Sequence, residues 1–379
     1  MKPVPRVHLF YPENDLALAR DIARYTAPPA AARLRRSGLT LPLWYGDAGD
    51  SFIAQGVDAR WLGRMNDAFS PDIRPWDRST EGLCPAPWGW SKASRQYFLD
   101  LGFRGSVMPD DKALDALRTL SHRRTASEVT RRLAETLPFP IVAPAEELTD
   151  VESIQEFIRS HPEGAVLKLP WSSSGRGLVA TDPATAVQQT GMFEGMLRRQ
   201  GSVMAEPRYR KVLDFAMLFT LSGGRCSYNG LSVFHNVQFG TYEGNTLASE
   251  AELWRLVASY CGEERLESVR ASLIPIIESI AGRDYDGPLG VDMMIADSPD
   301  TPIVPVSEIN FRMTMGHLCH RFYSRYVADG AKGLFVVRAN GAGQVSGETD
   351  ASVRNGRMTG GVLDLAQPGC DFSFIIRLE

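Results

Sequence analysis

The chain has 379 residues, 44% of them hydrophobic and 23% charged, with 41 basic against 45 acidic side chains and a net charge of −4. At roughly 100–200 residues per domain, that length suggests about two or three domains, and the average composition excludes disordered and fibrous classes. The charge balance argues against a nucleic-acid partner or a membrane surface held by bulk electrostatics, but not against a small anion in a local basic pocket.

The five cysteines, Cys84, Cys226, Cys261, Cys319 and Cys370, are odd in number and far apart. They predict neither a disulfide framework nor a cysteine-built zinc site. The first twelve residues lack a signal-peptide core, and no stretch nears 18 uninterrupted apolar residues. A cytoplasmic protein with no membrane span is the expectation.

In chain order, Val7–Tyr11 reads as a short buried strand, broken by Pro12-Glu-Asn-Asp15. A helix follows over Leu16–Tyr25, with Asn14 or Asp15 as its N-cap. A second helix (Ala30–Arg36) and a strand (Leu41–Tyr45) complete the rhythm of a parallel α/β layer. Residues 46–110 are rich in Pro, Gly and Trp, and Pro87-Trp-Gly-Trp-Ser91 leads into a helix over Lys92–Leu101. Helices are expected at 111–120, 124–136, 150–160 and 184–199. Strands are expected at 164–169, 178–180 and 202–205. An antiparallel pair, Asp214–Ser222 and Tyr228–Phe239, turns at Gly223-Gly224. Helices Glu250–Tyr260 and Leu266–Ala281 precede two pairing strands, Leu289–Ile295 and Ile303–Ile309, and the tail ends in a strand at Phe372–Arg377.

Two features carry chemistry. Lys168 lies near the end of a strand and is closely followed by Ser172-Ser173-Ser174-Gly175-Arg176-Gly177. Small residues let backbone N–H groups approach an anion, and the lysine adds a point charge, so together they make a phosphate cradle. The order of residues is neither that of a Walker loop nor that of a Rossmann fingerprint, and a plain Ser/Gly hairpin is the competing reading. Further on, Asp292 lies mid-strand in an apolar run, and Glu308 and Asn310 share one face of the next strand. A hairpin would bring the three together. Two carboxylates and an amide oxygen suit Mg²⁺, which keeps water and substrate phosphates in its other positions. Arg312 would continue the alternation onto the same face, there to balance the carboxylates or hold phosphate. A structural Asp/Glu–Arg network is the alternative.

A lysine with a Gly/Ser loop, a later acidic hinge and a D…E-x-N pair, in this order, resembles the ATP-grasp superfamily over roughly residues 105–325. The resemblance implies an N-terminal parallel α/β layer followed by a two-lobed ATP-grasp fold. The boundaries are 1–110 for a substrate-side domain, 111–200 for the small lobe with its phosphate loop 168–177, and 201–330 for the central, metal-holding lobe. A C-terminal extension, 331–379, would pack on the ATP-grasp lobe. It implies ATP bound by Lys168 and Ser172 to Gly177, adenine at a hinge including Ala205 and Glu206, and ribose at Asp214. It implies one or two Mg²⁺ ions, or Mn²⁺, on Asp292, Glu308 and Asn310, and Arg312 near phosphate or substrate. Arg123 or Arg124 would supply the upstream phosphate contact, where the family more often has lysine. The implied reaction is a ligation in which a carboxylate becomes an acylphosphate and an amine, or a thiol, displaces phosphate. A small-molecule kinase and a non-catalytic nucleotide-binding protein are the rival functions. Small-molecule carboxylate and amine partners follow, while nothing in the sequence fixes the oligomeric state, a homodimer included.

Other motifs stay open. His317 and His320 form a His-x-x-His pair, a metal pair or ordinary helix surface. His235 and Asn236, with the stretch to Asn245, would line a cleft or form a hairpin turn. Pro12–Asp15 follows the first strand at its carboxyl end, where open α/β sheets bind ligands, with helix capping as the alternative. Trp88–Lys92 reads equally as recognition loop or core plug.

Overall fold

The computed structural model describes residues 4–172, 175, 177–237, 241–341 and 349–379. The chain divides into two compact units: 1–117 with 243–253 and 312–379, and 118–242 with 254–311.

The first unit is built on a parallel four-stranded sheet. Its strands run in the order Arg74–Pro75, Ser51–Phe52, Arg6–Leu9, Cys84–Pro87. The predicted strand at Leu41–Tyr45 is instead a 3₁₀ turn, Gly38–Thr40, running into a short helix, Pro42–Tyr45. Leu41, Leu43, Trp44 and Tyr45 are all 2% exposed or less. A run buried on every side carries no period to separate helix from strand, and Pro42 suits a helix's first turn. Trp44 packs edge-on against Phe69, Phe322 and Tyr326. The first helix is Asn14–Arg20, and its N-cap is Glu13 with no side-chain cap bond. The two expected caps stand inside the helix instead, Asn14 as its buried first residue and Asp15 paired with Arg312. The helix Lys92–Asp100 starts where expected, on a capping box made by Ser91 and Ser94. In the same unit, residues 244–247 pair with Gly333–Ala339, which pairs in turn with Phe372–Leu378.

The second unit holds two antiparallel sheets. In one, the order is Glu146–Leu148, Val203–Pro207, Ala165–Lys168, Leu178–Thr181. One face of this sheet packs on the helices Val151–Ser160 and Thr190–Gln200, burying Ile154, Phe157, Leu167, Phe193, Val203 and Ala205. In the other, Ile303–Asn310, Gly287–Ala296, Lys211–Ser222 and Arg225–Val237 are successive neighbours. The turn at Gly223-Gly224 falls where predicted, both glycines having positive φ. The helices Asp111–Leu120 and Arg124–Thr136 match the predicted spans.

Candidate active site

Strand alternation builds one side of the site. Leu167 and Ala205 face the helices, so their neighbours Lys168, Met204 and Glu206 face the other way. Lys168 pairs in register with Met204, and Glu206 lies two residues further along. That diagonal spacing is within reach of long side chains, and Lys168 Nζ sits 2.7 Å from Glu206 Oε1. Lys168 also donates to Ser307 Oγ at 3.1 Å. The loop after Lys168 is closed by Leu169 N–H donating to Gly177 O at 2.9 Å. Gly177 has φ +80°, and a Cβ there would lie 2.8 Å from Leu169 Cδ1, so this position requires glycine. Ser173, Ser174 and Arg176 lie outside the described residues.

Of the two upstream arginines, one enters the site. Arg123 is 6% exposed. Its Nη1 donates to Leu169 O at 2.5 Å and to Ser172 Oγ at 2.7 Å. Its Nη2 donates to Glu308 Oε2 at 2.7 Å and to Ser172 O at 3.4 Å. Its Nε is buried with no acceptor among the described residues. Arg124 turns outward to Glu147, at 3.2 Å, with its side chain 57% exposed.

The carboxylates meet as the D…E-x-N spacing predicts. Asp292 stands opposite Glu308 in the ladder, and Asn310 stands opposite Gly290. With no side chain on Gly290, Asn310 reaches across the diagonal and donates to Asp292 Oδ2 at 3.0 Å. Between the pairs Asp292↔Glu308 and Met294↔Val304 the second strand holds two extra residues. Such a bulge re-aims side chains. Here the adjacent residues Ser307 and Glu308 serve the same site, one meeting Lys168 and the other Arg123.

Lys168, Arg123, Met204, Glu206 and Ser307 line one pocket with Tyr209, Val142 and Val306. Burial, with the Glu206 charge beside it, pushes the Tyr209 phenol up, so it stays protonated at neutral pH. The sequence singled out neither Tyr209 nor Ser307. Ser307 sits one residue from Glu308, on what simple alternation makes the opposite face, and Tyr209 lies in a polar turn with no periodic signal. Ala205 points its side chain into the helix-packed core. Asp214 pairs with Lys211 at 2.5 Å and accepts from Asn236 Nδ2 at 2.8 Å.

Arg312 does not continue the carboxylate strand, which ends at Asn310. It belongs to the first unit, where its Nε and Nη2 grip Asp15 at 2.9 and 2.6 Å. His317 is buried and completes a capping box with Thr314 at the start of the helix Met315–Tyr326. Among the described residues no group of three or more His, Cys, Asp or Glu side chains is placed to hold a metal. Nor, among them, is any helix long and apolar enough to cross a membrane.

Comparison with models of known protein families gives no match, and comparison with curated proteins gives none. Solved structures do match. Biotin carboxylase from Campylobacter jejuni, in a β-γ-ATP complex, aligns at TM-score 0.54 and 11% identity over 100% of this chain and 88% of that one. The biotin carboxylase domain of Hydrogenobacter thermophilus 2-oxoglutarate carboxylase, with MgADP, ADP and bicarbonate, aligns at 0.50 and 11%, over 100% and 86%. N5-carboxyaminoimidazole synthase from Aspergillus clavatus, with ADP and 5-aminoimidazole ribonucleotide, aligns at 0.50 and 11%, over 99% and 94%. At such identity the likeness is one of fold. The chain carries the ATP-grasp fold, with its parallel N-terminal α/β layer.

Proposed function

We propose that this chain is an ATP- and Mg²⁺-dependent ligase that activates a substrate carboxylate as an acylphosphate for attack by an amine or a thiol. The observation that carries the reading is the convergence of Lys168 and Arg123 on one pocket, with Glu308 bonded to Arg123. Lys168 and Arg123 bring two cationic heads there, each beside a carboxylate, Glu206 and Glu308, and the buried Nε–H of Arg123 has no acceptor among the described residues. The phosphates of ATP fit that chemistry. Met204, Glu206 and Tyr209 then flank the base, and Asp214 serves the ribose. The solved structures of like fold hold a β-γ-ATP, MgADP or ADP, which supports the same choice of nucleotide and metal.

Asp292, Glu308 and Asn310 fit Mg²⁺. They are hard oxygen donors on adjacent strands, and a set of three leaves positions for water and phosphate. When bound, the ion supplies charge neutralisation for the transferring phosphoryl group. Lys168 and Arg123 hold and orient that group at fixed positions, without reorganisation cost. The attacking carboxylate is already ionised at neutral pH, so the first step asks no proton transfer of the chain.

Product analysis tests this. ADP and phosphate released only when a carboxylate and an amine or thiol are both present is the expected result. A stable phosphorylated product would make the protein a kinase, and nucleotide binding without turnover across a broad substrate panel would end the enzymatic reading. Glu308→Gln should abolish Mg²⁺-dependent turnover with the fold retained, and unchanged turnover would remove Glu308 from the metal site.

A further inference from the structure

The nucleotide site leaves two sequence motifs unused, and the structure brings them together. Tyr11-Pro-Glu-Asn-Asp15 and Trp88-Gly-Trp-Ser91 leave the carboxyl ends of two neighbouring parallel strands, Arg6–Leu9 and Cys84–Pro87. The sheet order places Ser51–Phe52 and Arg74–Pro75 on one side of the first strand and Cys84–Pro87 on the other. The strand order therefore reverses between these two strands, and open α/β sheets bind ligands at that switch point.

Three chain segments are locked there. Trp88 N–H donates to Leu9 O at 2.7 Å, and Met313 N–H donates to Trp88 O at 2.8 Å. Arg312 grips Asp15. A Cβ on Gly89 would lie 2.5 Å from Asn14 Nδ2 and 3.0 Å from Arg312 Cβ, so only glycine permits the approach.

At the centre is Glu13, 1% exposed. Arg35 Nη1 donates to its Oε1 at 2.6 Å. Its Oε2 is buried with no hydrogen-bond partner among the described residues; burial pushes the Glu13 carboxyl up, while the Arg35 charge and a backbone N–H oppose that shift. A buried carboxylate oxygen without a donor is costly, and a native fold that keeps one needs a reason. Tyr11 borders the pair, with the Arg35 guanidinium over its ring at 5.3 Å. Burial, with Glu13 next in weight, pushes the Tyr11 phenol up.

We propose that this cluster is a binding site for a primary amine in its ammonium form, which donates to Glu13 Oε2. An anion would face two carboxylates, Glu13 and Asp15, whose arginines already serve them. A metal ion would need more oxygen ligands than one carboxylate edge provides. An ammonium makes a charge-assisted bond to a carboxylate oxygen that lacks a partner. That the ligand is the amine substrate rests on the ligase reading; the site itself does not.

The test uses the full chain and the twenty standard amino acids plus putrescine as probes, by thermal shift and then titration calorimetry. At least one amine is expected to raise the unfolding temperature. Its des-amino analogue should bind at least tenfold more weakly, and Glu13→Gln should weaken the amine by at least tenfold. An analogue that binds as well as the amine, an unaffected Glu13→Gln, or a panel without a binder overturns the proposal. The analogue comparison uses wild-type protein, so it decides even if Glu13→Gln fails to fold. Binding of a fluorescent ATP analogue is followed in parallel. If it is absent while amines discriminate, the ligase reading fails and the amine site stands; if it is present without amine discrimination, the reverse holds.

Discussion

Replacing Arg123 by alanine separates a working guanidinium from a decorative one. The wild-type side chain is buried and bonds to Leu169 O, Ser172 Oγ, Ser172 O and Glu308. A hydrogen bond involving a charged group contributes about 1.5–3 kcal/mol, and removing one member of a buried ion pair costs about 3–5 kcal/mol. These do not add. The Glu308 side chain is 25% exposed, so water takes over part of its lost partner. The expected destabilisation of the second unit is therefore near the low end, about 3 kcal/mol. Arg124→Ala is the internal control. Its pair with Glu147 is exposed and contributes about 0–1 kcal/mol. Urea unfolding of the two variants beside wild type, with binding of a fluorescent ATP analogue, reads both effects. Arg123→Lys should fall between, because one ammonium cannot reproduce the fork that serves four acceptors on three residues. If Arg123→Ala unfolds like Arg124→Ala and binds nucleotide like wild type, the phosphate-side geometry is wrong.

Gly177→Ala forces a left-handed conformation on a residue with a side chain, costing about 1–2 kcal/mol. It also drives a methyl against Leu169, so the KM for ATP should rise while Mg²⁺ affinity in the presence of nucleotide holds; an unchanged KM would remove the loop from phosphate binding. A different prediction concerns His122, whose ring packs edge-on against Trp171 at 4.6 Å. Burial, then the nearby Arg124 charge, lowers its pKa to about 4. Its Nδ1 accepts from Arg124 N–H at 3.0 Å, which fixes the neutral form. The unfolded chain takes the proton near pH 6.5 and the folded chain only near pH 4, so stability should fall as pH drops through that window and level off below it. His122→Gln should flatten that portion of the stability–pH curve relative to wild type, and a parallel curve would refute the assignment.

Much of the fold was legible where a period or a punctuating residue was present. The helix at 124–136 has a clean apolar stripe, and the paired glycines at 223–224 mark their turn. Leu41–Tyr45 was not legible, because a segment buried all round has no period. The first helix misled in its start: it begins at Asn14 with Glu13 at the N-cap, and Asp15 is paired with Arg312.

The site follows the same division. Asp292 and Glu308 were readable because a two-residue side-chain period and an antiparallel pairing are enough to oppose them. Alternation then fails on both sides of Glu308. On one side the bulge brings Ser307 to Lys168, although an unbroken strand would turn it away. On the other the strand stops at Asn310, so alternation no longer sets the direction of Arg312, which grips Asp15. A strand's period holds only between its irregularities, and those are set by the partner strand's register and by side chains distant in sequence. The acidic pair is thus the part of this site that local sequence can specify, while Arg123, which bonds to Glu308 from 185 residues earlier in the chain, is placed there by the fold.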